Sequence, residues 1–222
     1  MTPPRLSPYW LWFLLSLPAA AMLLQLASTD GTSEDFADLL HVSGETSARA
    51  LIVAMLASPL VLLLRGWRGP RWMMKNRRYF GVAAFGYAAL HTLFYILDKG
   101  SFGAVVEEIP QFYIWTGWVA FLIFIPLAAT SMDYAVRIMG RRWKTLQRSV
   151  YVAAVLTLLH WAAVHDWGGV GPALVHFVPL TVLEAYRLWF WYLRPGKDRK
   201  SACTDRAAFT RRKGPCIARY LT

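Results

Sequence analysis

Blocks of roughly 20 apolar residues recur along this chain, and that repetition constrains its fold more than any other feature. At 1.5 Å per residue, about 20 helical residues cross the ~30 Å hydrocarbon core of a bilayer. A soluble core seldom repeats such blocks. Six are discernible, at residues 9–27, 48–64, 79–97, 112–136, 150–164 and 172–193. Only 17% of the chain is charged, against about 25% in soluble domains. The expectation is an all-α integral membrane protein, a bundle of six transmembrane helices.

The distribution of charge supplies an orientation. A net charge of +11 would suit nucleic acid if it formed one continuous basic face. Instead, basic residues cluster at 65–78, at 137–148 and from Arg194 onward. Acidic residues occupy the alternate connections: Asp30, Glu34, Asp35, Asp38 and Glu45, then Asp98, Glu107 and Glu108. This is the positive-inside pattern of a membrane protein, and it argues against a nucleic-acid partner. Both termini are expected in the cytoplasm: residues 1–8 as a short lead, 9–193 as the membrane domain, and 194–222 as a basic, largely disordered tail. The first block exceeds a signal-peptide core and lacks a clear cleavage site, so it is read as a retained span. Cys203 and Cys216 fall in the tail, where a cytoplasmic location disfavours a disulfide and two thiols make a poor zinc site.

Polar side chains within spans are costly and need a reason. His91 lies about 12 residues, ~18 Å, from the inner end of the third span, and His160 about 10 residues, ~15 Å, from that of the fifth. Both spans run in the same direction, so the imidazoles reach similar depths. Two neutral imidazoles can clamp a heme iron from both faces, leaving no position for oxygen. Gly81, Ala83, Ala84, Gly86, Ala88 and Ala89 lead up to His91, and Ala153 and Ala154 precede His160. Small residues admit a flat macrocycle, and equally admit a neighbouring helix. From the residues alone, heme ligation and hydrogen-bonded packing are evenly matched.

Other candidates carry less. His41 sits in the outer acidic segment and reads as a structural or supporting residue. His165 lies about 140° around the helix from His160 and cannot easily share its iron. His176 is a spare ligand candidate. Glu184 and Arg187 are spaced to pair on one helix face, and Asp133 to cap or pair with the basic loop. Eleven tryptophans suit interfacial belts. No phosphate-binding glycine loop or HExxH motif occurs.

The stretch from Arg77-Arg78-Tyr79-Phe80-Gly81 to Ala89-Leu90-His91 resembles the RRxLGLxxFxxAxLH signature of the ferric-reductase-like membrane superfamily. Within it, the chain most resembles the heme-binding membrane subunit (MsrQ/YedZ) family of the bacterial periplasmic methionine sulfoxide reductase system. The likeness continues at His41-Val42-Ser43-Gly44, Ser58-Pro59-Leu60, residues 126–131 and 140–146, and from Val150-Tyr151 to Leu159-His160. It covers roughly residues 40–165.

The resemblance implies a six-helix cytochrome of the bacterial inner membrane with heme b between His91 and His160. Electrons would come from quinol or a cytosolic flavin reductase and pass to a periplasmic molybdopterin-dependent reductase; FMN is also associated with the family. The family usually places a histidine in the LHRxVY stretch opening the fifth span, where this chain has Gln147. Glutamine is a poor iron ligand, so one heme is expected, nearer the outer surface. Arg77, Arg78, Gln147 and Trp143 are then candidates for the donor or quinone end, and His41 for a supporting role. The alternatives are a stand-alone ferric or metal reductase, and a non-heme transporter or scaffold.

Overall fold

The computed structural model describes residues 9–29 and 32–193. Expectations for residues 1–8 and for the tail from residue 194, with its two cysteines, lie outside them. The described residues form helices α1 (Tyr9–Ser28), α2 (Ser33–Leu63), α3 (Arg68–Lys99), α4 (Phe102–Glu108), α5 (Phe112–Ala129), α6 (Asp133–Met139), α7 (Arg141–Gln147), α8 (Val150–Trp167) and α9 (Val170–Leu188), with a π turn at Trp189–Leu193. Four of them, α1, α2, α3 and α5, are long and apolar enough to cross a membrane. Helices α8 and α9, of 18 and 19 residues, pack in the same bundle.

α2 and α3 lie side by side, α5 packs on α8, and α9 bridges α2 and α8. Contact between α3 and α5 joins the two pairs. Leu51 and Met55 of α2, Ala84 of α3, Phe124 of α5, Ala153 of α8 and Phe177 of α9 meet in the main core. Small residues permit the close approach: Ser47 of α2 donates across to the Ala84 carbonyl at 2.8 Å, in a buried contact. Leu24, Leu122, Val155, Val175 and Val182 are each more than half exposed. An outward face of that composition suits hydrocarbon rather than water.

Several helix limits differ from the sequence reading, each for a local reason. α2 starts at Ser33, so much of the expected acidic connection is helical and His41 stands on α2. A capping box explains this early start: the Thr32 hydroxyl accepts from Asp35 N–H at 3.4 Å, and the Asp35 carboxylate accepts from Thr32 N–H at 2.9 Å. α3 begins at Arg68, inside the expected basic loop, with Pro70 tolerated in its first turn. The block at 112–136 is not one helix. α5 stops at Ala129, where the Thr130 and Ser131 hydroxyls fold back onto the Pro126 and Leu127 carbonyls at 2.7 Å each.

α1 is held to α3 by Tyr87. Its hydroxyl donates to the Leu15 carbonyl at 2.6 Å and accepts from the Ala19 amide at 3.2 Å. These two backbone groups flank Pro18, the proline inside α1, and the one hydroxyl serves both. Tyr87→Phe leaves both groups without this partner, so it is expected to lower stability by about 1–3 kcal/mol. Thermal unfolding in detergent, with cleavage of α1 by protease as a second readout, measures it.

Candidate functional site

Charged residues gather at the two ends of the bundle, the basic clusters at residues 65–78 and 137–148 at one and Asp98, Glu107 and Glu108 at the other. At one end Arg78 of α3 pairs with Asp133 at 2.5 Å. At the other, Lys99 of α3 pairs with Glu108 of α4 at 2.6 Å, and Tyr95 donates to the same carboxylate at 2.9 Å. The hydrogen bond from Lys99 holds the Glu108 carboxyl below its usual range, outweighing the opposing effect of burial. A cavity of about 550 Å³ runs inward from this acidic end, between the α2–α3 pair and the α5–α8 pair. Its size is that of a cofactor or ligand site.

His91 from α3 and His160 from α8 both line the cavity. Their ring centroids stand 5.9 Å apart with planes at 87°. Each ring is anchored on a neighbouring helix: His91 Nδ1 to the Leu40 carbonyl of α2 at 2.8 Å, and His160 Nδ1 to the Tyr113 carbonyl of α5 at 2.5 Å. A carbonyl only accepts, so Nδ1 carries the hydrogen in both rings, and Nε2 of the neutral ring keeps its lone pair. This is the tautomer a metal-binding imidazole needs, with the hydrogen bond that orients it.

The spacing tests the fit of a shared metal. A ligating imidazole nitrogen stands about 2 Å from its metal, and the ring centre about 1 Å further back. Two rings on one metal therefore have centroids roughly 6 Å apart, which the pair meets. Ala48, Ala88 and Ala120 leave width beside the rings, and Phe121, Phe124 and Trp161 supply flat apolar walls. The residues fit a planar macrocycle ligated through its metal.

The remaining candidates separate by depth. His41 lines the cavity near its acidic end, one residue after the carbonyl that anchors His91. Arg77, Arg78, Trp143 and Gln147 are not among the lining residues and belong to the basic end. There, the Trp143 ring donates to the Thr130 carbonyl at 2.8 Å, and Gln147 donates to the Leu127 carbonyl at 3.2 Å. Both close off the last turn of α5. The Arg78 guanidinium lies 5.4 Å from the Trp143 ring centre, and that of Arg77 is 3.7 Å from the Met74 sulfur.

His176 is not a spare ligand. Its Nδ1 donates to the Pro172 carbonyl at 2.7 Å and its Nε2 accepts from Arg49 at 3.3 Å, so both nitrogens are engaged. The side chain of His165 lies outside the described residues. The Glu184–Arg187 pair is present at 3.1 Å. Gly44 and Gly117, each packed against a histidine ring, were not singled out from the sequence as site residues. Gly117 had a visible signal, as an isolated glycine inside an apolar helix.

The chain is similar to known proteins over most of its length. Residues 43–158 match the family model of the ferric reductase like transmembrane component. The chain is 35% identical over 194 residues to the protein-methionine-sulfoxide reductase heme-binding subunit MsrQ of Ralstonia nicotianae, covering 84% of this chain and 86% of that one. It is 32% identical over 202 residues to the MsrQ of Bordetella pertussis, covering 88% and 94%, and 30% identical over 192 residues to that of Agrobacterium fabrum, covering 84% and 86%. No solved structure matches significantly.

Proposed function

The chain belongs to the ferric-reductase-like transmembrane family and, within it, to the MsrQ family of heme-binding subunits, and we propose that it is a bis-histidine b-type cytochrome carrying electrons across the bacterial inner membrane. The observation that carries this reading is the His91–His160 pair, with centroids 5.9 Å apart and both Nδ1 atoms already donating to backbone carbonyls.

In this reading α1, α2, α3, α5, α8 and α9 are six spans, with both termini and the Arg65–Arg78 and Arg137–Arg148 clusters cytoplasmic. His91 and His160 are the residues that would hold heme b, which would supply a one-electron couple there. Leu40 and Tyr113 fix the tautomer and direction of the two imidazoles. Phe121, Phe124 and Trp161 keep water from the cavity walls, and His41 supports the outer rim. The acidic end faces the periplasm and the receiving partner, a molybdopterin-dependent methionine sulfoxide reductase. At the basic end Arg77 and Arg78, with Trp143 and Gln147 beside them, form the entry for quinol or a reduced flavin donor, FMN included.

The single-heme expectation can be checked directly. Gln147 ends α7, thirteen residues before His160 of α8 and outside the cavity lining, and α3 has no histidine other than His91. Gln147→His is therefore expected to leave the heme-to-protein ratio at that of wild type. Two hemes per chain in the wild-type protein by the hemochrome assay would contradict one center, and a ratio raised only in the variant would show that a second site lacks nothing but that ligand.

The function itself is tested by reconstituting the purified protein in liposomes with a quinol, with and without the periplasmic reductase. The reading predicts quinol oxidation that continues only when the reductase and a methionine sulfoxide substrate are present. Rapid partner-free reduction of ferric chelates would favour a stand-alone metal reductase instead.

A further inference from the structure

The two histidines are seated by one device used twice. On α2, the Leu40 carbonyl accepts from His91 Nδ1. Gly44, four residues on, lies against the same ring: a Cβ there would stand 2.7 Å from Nδ1 and 2.8 Å from Cε1. On α5, the Tyr113 carbonyl accepts from His160 Nδ1. Gly117, again four residues on, would place a Cβ 2.8 Å from both Nδ1 and Cε1.

The spacing has a physical reason. In an α-helix the carbonyl of residue i faces the N–H of residue i+4, and the Cβ of residue i+4 tilts back toward that carbonyl. A carbonyl has a second lone pair, but an incoming ring reaches it only through the space that this Cβ would fill. Glycine leaves the space open. The small residues beside His91 in sequence do not share this role, because a Cβ on Gly81 or Gly86 would meet nothing within 4 Å.

We propose that Gly44 and Gly117 are positioning residues for the electron-carrying site: by admitting each imidazole onto the carbonyl of a neighbouring helix, they set the two ligand planes nearly perpendicular and keep both rings electron-rich. This rests on the reading that His91 and His160 ligate heme. Perpendicular axial planes leave two iron d orbitals close in energy, which gives ferric low-spin heme a strongly anisotropic EPR signal; near-parallel planes give a rhombic one. Donation from Nδ1–H to a carbonyl strengthens the ligand, favours the ferric state and lowers the reduction potential.

The full-length protein is purified with heme as wild type, Gly44→Ala, Gly117→Ala and, as control, Gly86→Ala. Heme content, EPR spectrum and midpoint potential are recorded for each. Wild type is expected to show the strongly anisotropic signal. Each of Gly44→Ala and Gly117→Ala is expected to reduce that anisotropy and raise the potential, or to lose heme while remaining helical by circular dichroism. Gly86→Ala should match wild type throughout. A rhombic signal in heme-loaded wild type overturns the proposal without any variant, and so does a wild-type spectrum and potential in either substituted protein. Wild type that binds no heme refutes the ligand reading itself, a separate failure visible in the first measurement.

Discussion

His91→Ala and His160→Ala are each expected to lose at least about nine-tenths of the bound heme while keeping the helical fold. Removing even a residue that only orients a metal ligand commonly costs 10–100-fold in affinity, and in the proposed reading a ligand itself is removed. The rings stand on different helix pairs, so neither can replace the other, and His176 has both nitrogens engaged. In the proposed reading the two imidazoles act on one iron, so the double variant should be scarcely worse than either single one. The fold survives because the core formed by Leu51, Met55, Phe124 and Phe177 does not depend on either ring. Reduced-minus-oxidised spectra, with circular dichroism as the control, measure both parts of the expectation. Full heme retention in either variant would move the ligands elsewhere.

The second large effect lies toward the opposite end of the bundle. Arg187 of α9 reaches Glu184 at 3.1 Å, the Ser58 hydroxyl of α2 at 2.5 Å and the Tyr151 hydroxyl of α8 at 2.6 Å. One guanidinium thus ties three helices together. Glu184 depends on it strongly: one carboxylate oxygen is buried with no hydrogen-bond partner among the described residues. Arg187→Ala leaves that carboxylate without its counter-charge, and breaking such a pair from one side costs about 3–5 kcal/mol. Arg187→Ala is expected at about 3 kcal/mol, since the Arg187 side chain retains 22% exposure. Replacing both partners together, Glu184→Gln with Arg187→Met, should cost less than Arg187→Ala alone. Thermal unfolding in detergent measures the difference. A double variant as unstable as the single one would show that packing, and not the unpaired carboxylate, dominates.

The all-helical membrane class and the nearness of His91 to His160 were legible in the sequence, because both follow from periodic facts. Apolar length marks a span whatever surrounds it, and helical rise places His91 and His160 at one depth before any tertiary contact is known. The Glu184–Arg187 pair was legible for the same reason, since three residues of helix bring the groups together. What escaped depended on contacts between helices. Gly44 and Gly117 matter through what lies against them from α3 and α8; the isolated glycine at 117 marks a position in an apolar helix but not the ring that fills it, whereas Gly81 and Gly86 drew attention by their closeness in sequence and have nothing within reach of a Cβ. Helix limits were hidden in polar side chains that act on the backbone: Thr32 and Asp35 start α2 early, while Thr130 and Ser131 end α5 within an apolar block. Trp143 and Gln147 likewise show a structural task, closing the end of α5, that their spacing did not announce.

Carbon monoxide gives the most direct test of paired ligation. The purified protein, reduced with dithionite, is exposed to the gas and its visible spectrum recorded. With one imidazole on each face of the iron, the spectrum is expected to remain that of the reduced low-spin form. Prompt appearance of a carbon monoxide adduct in the wild-type protein would show an open axial position and contradict the account.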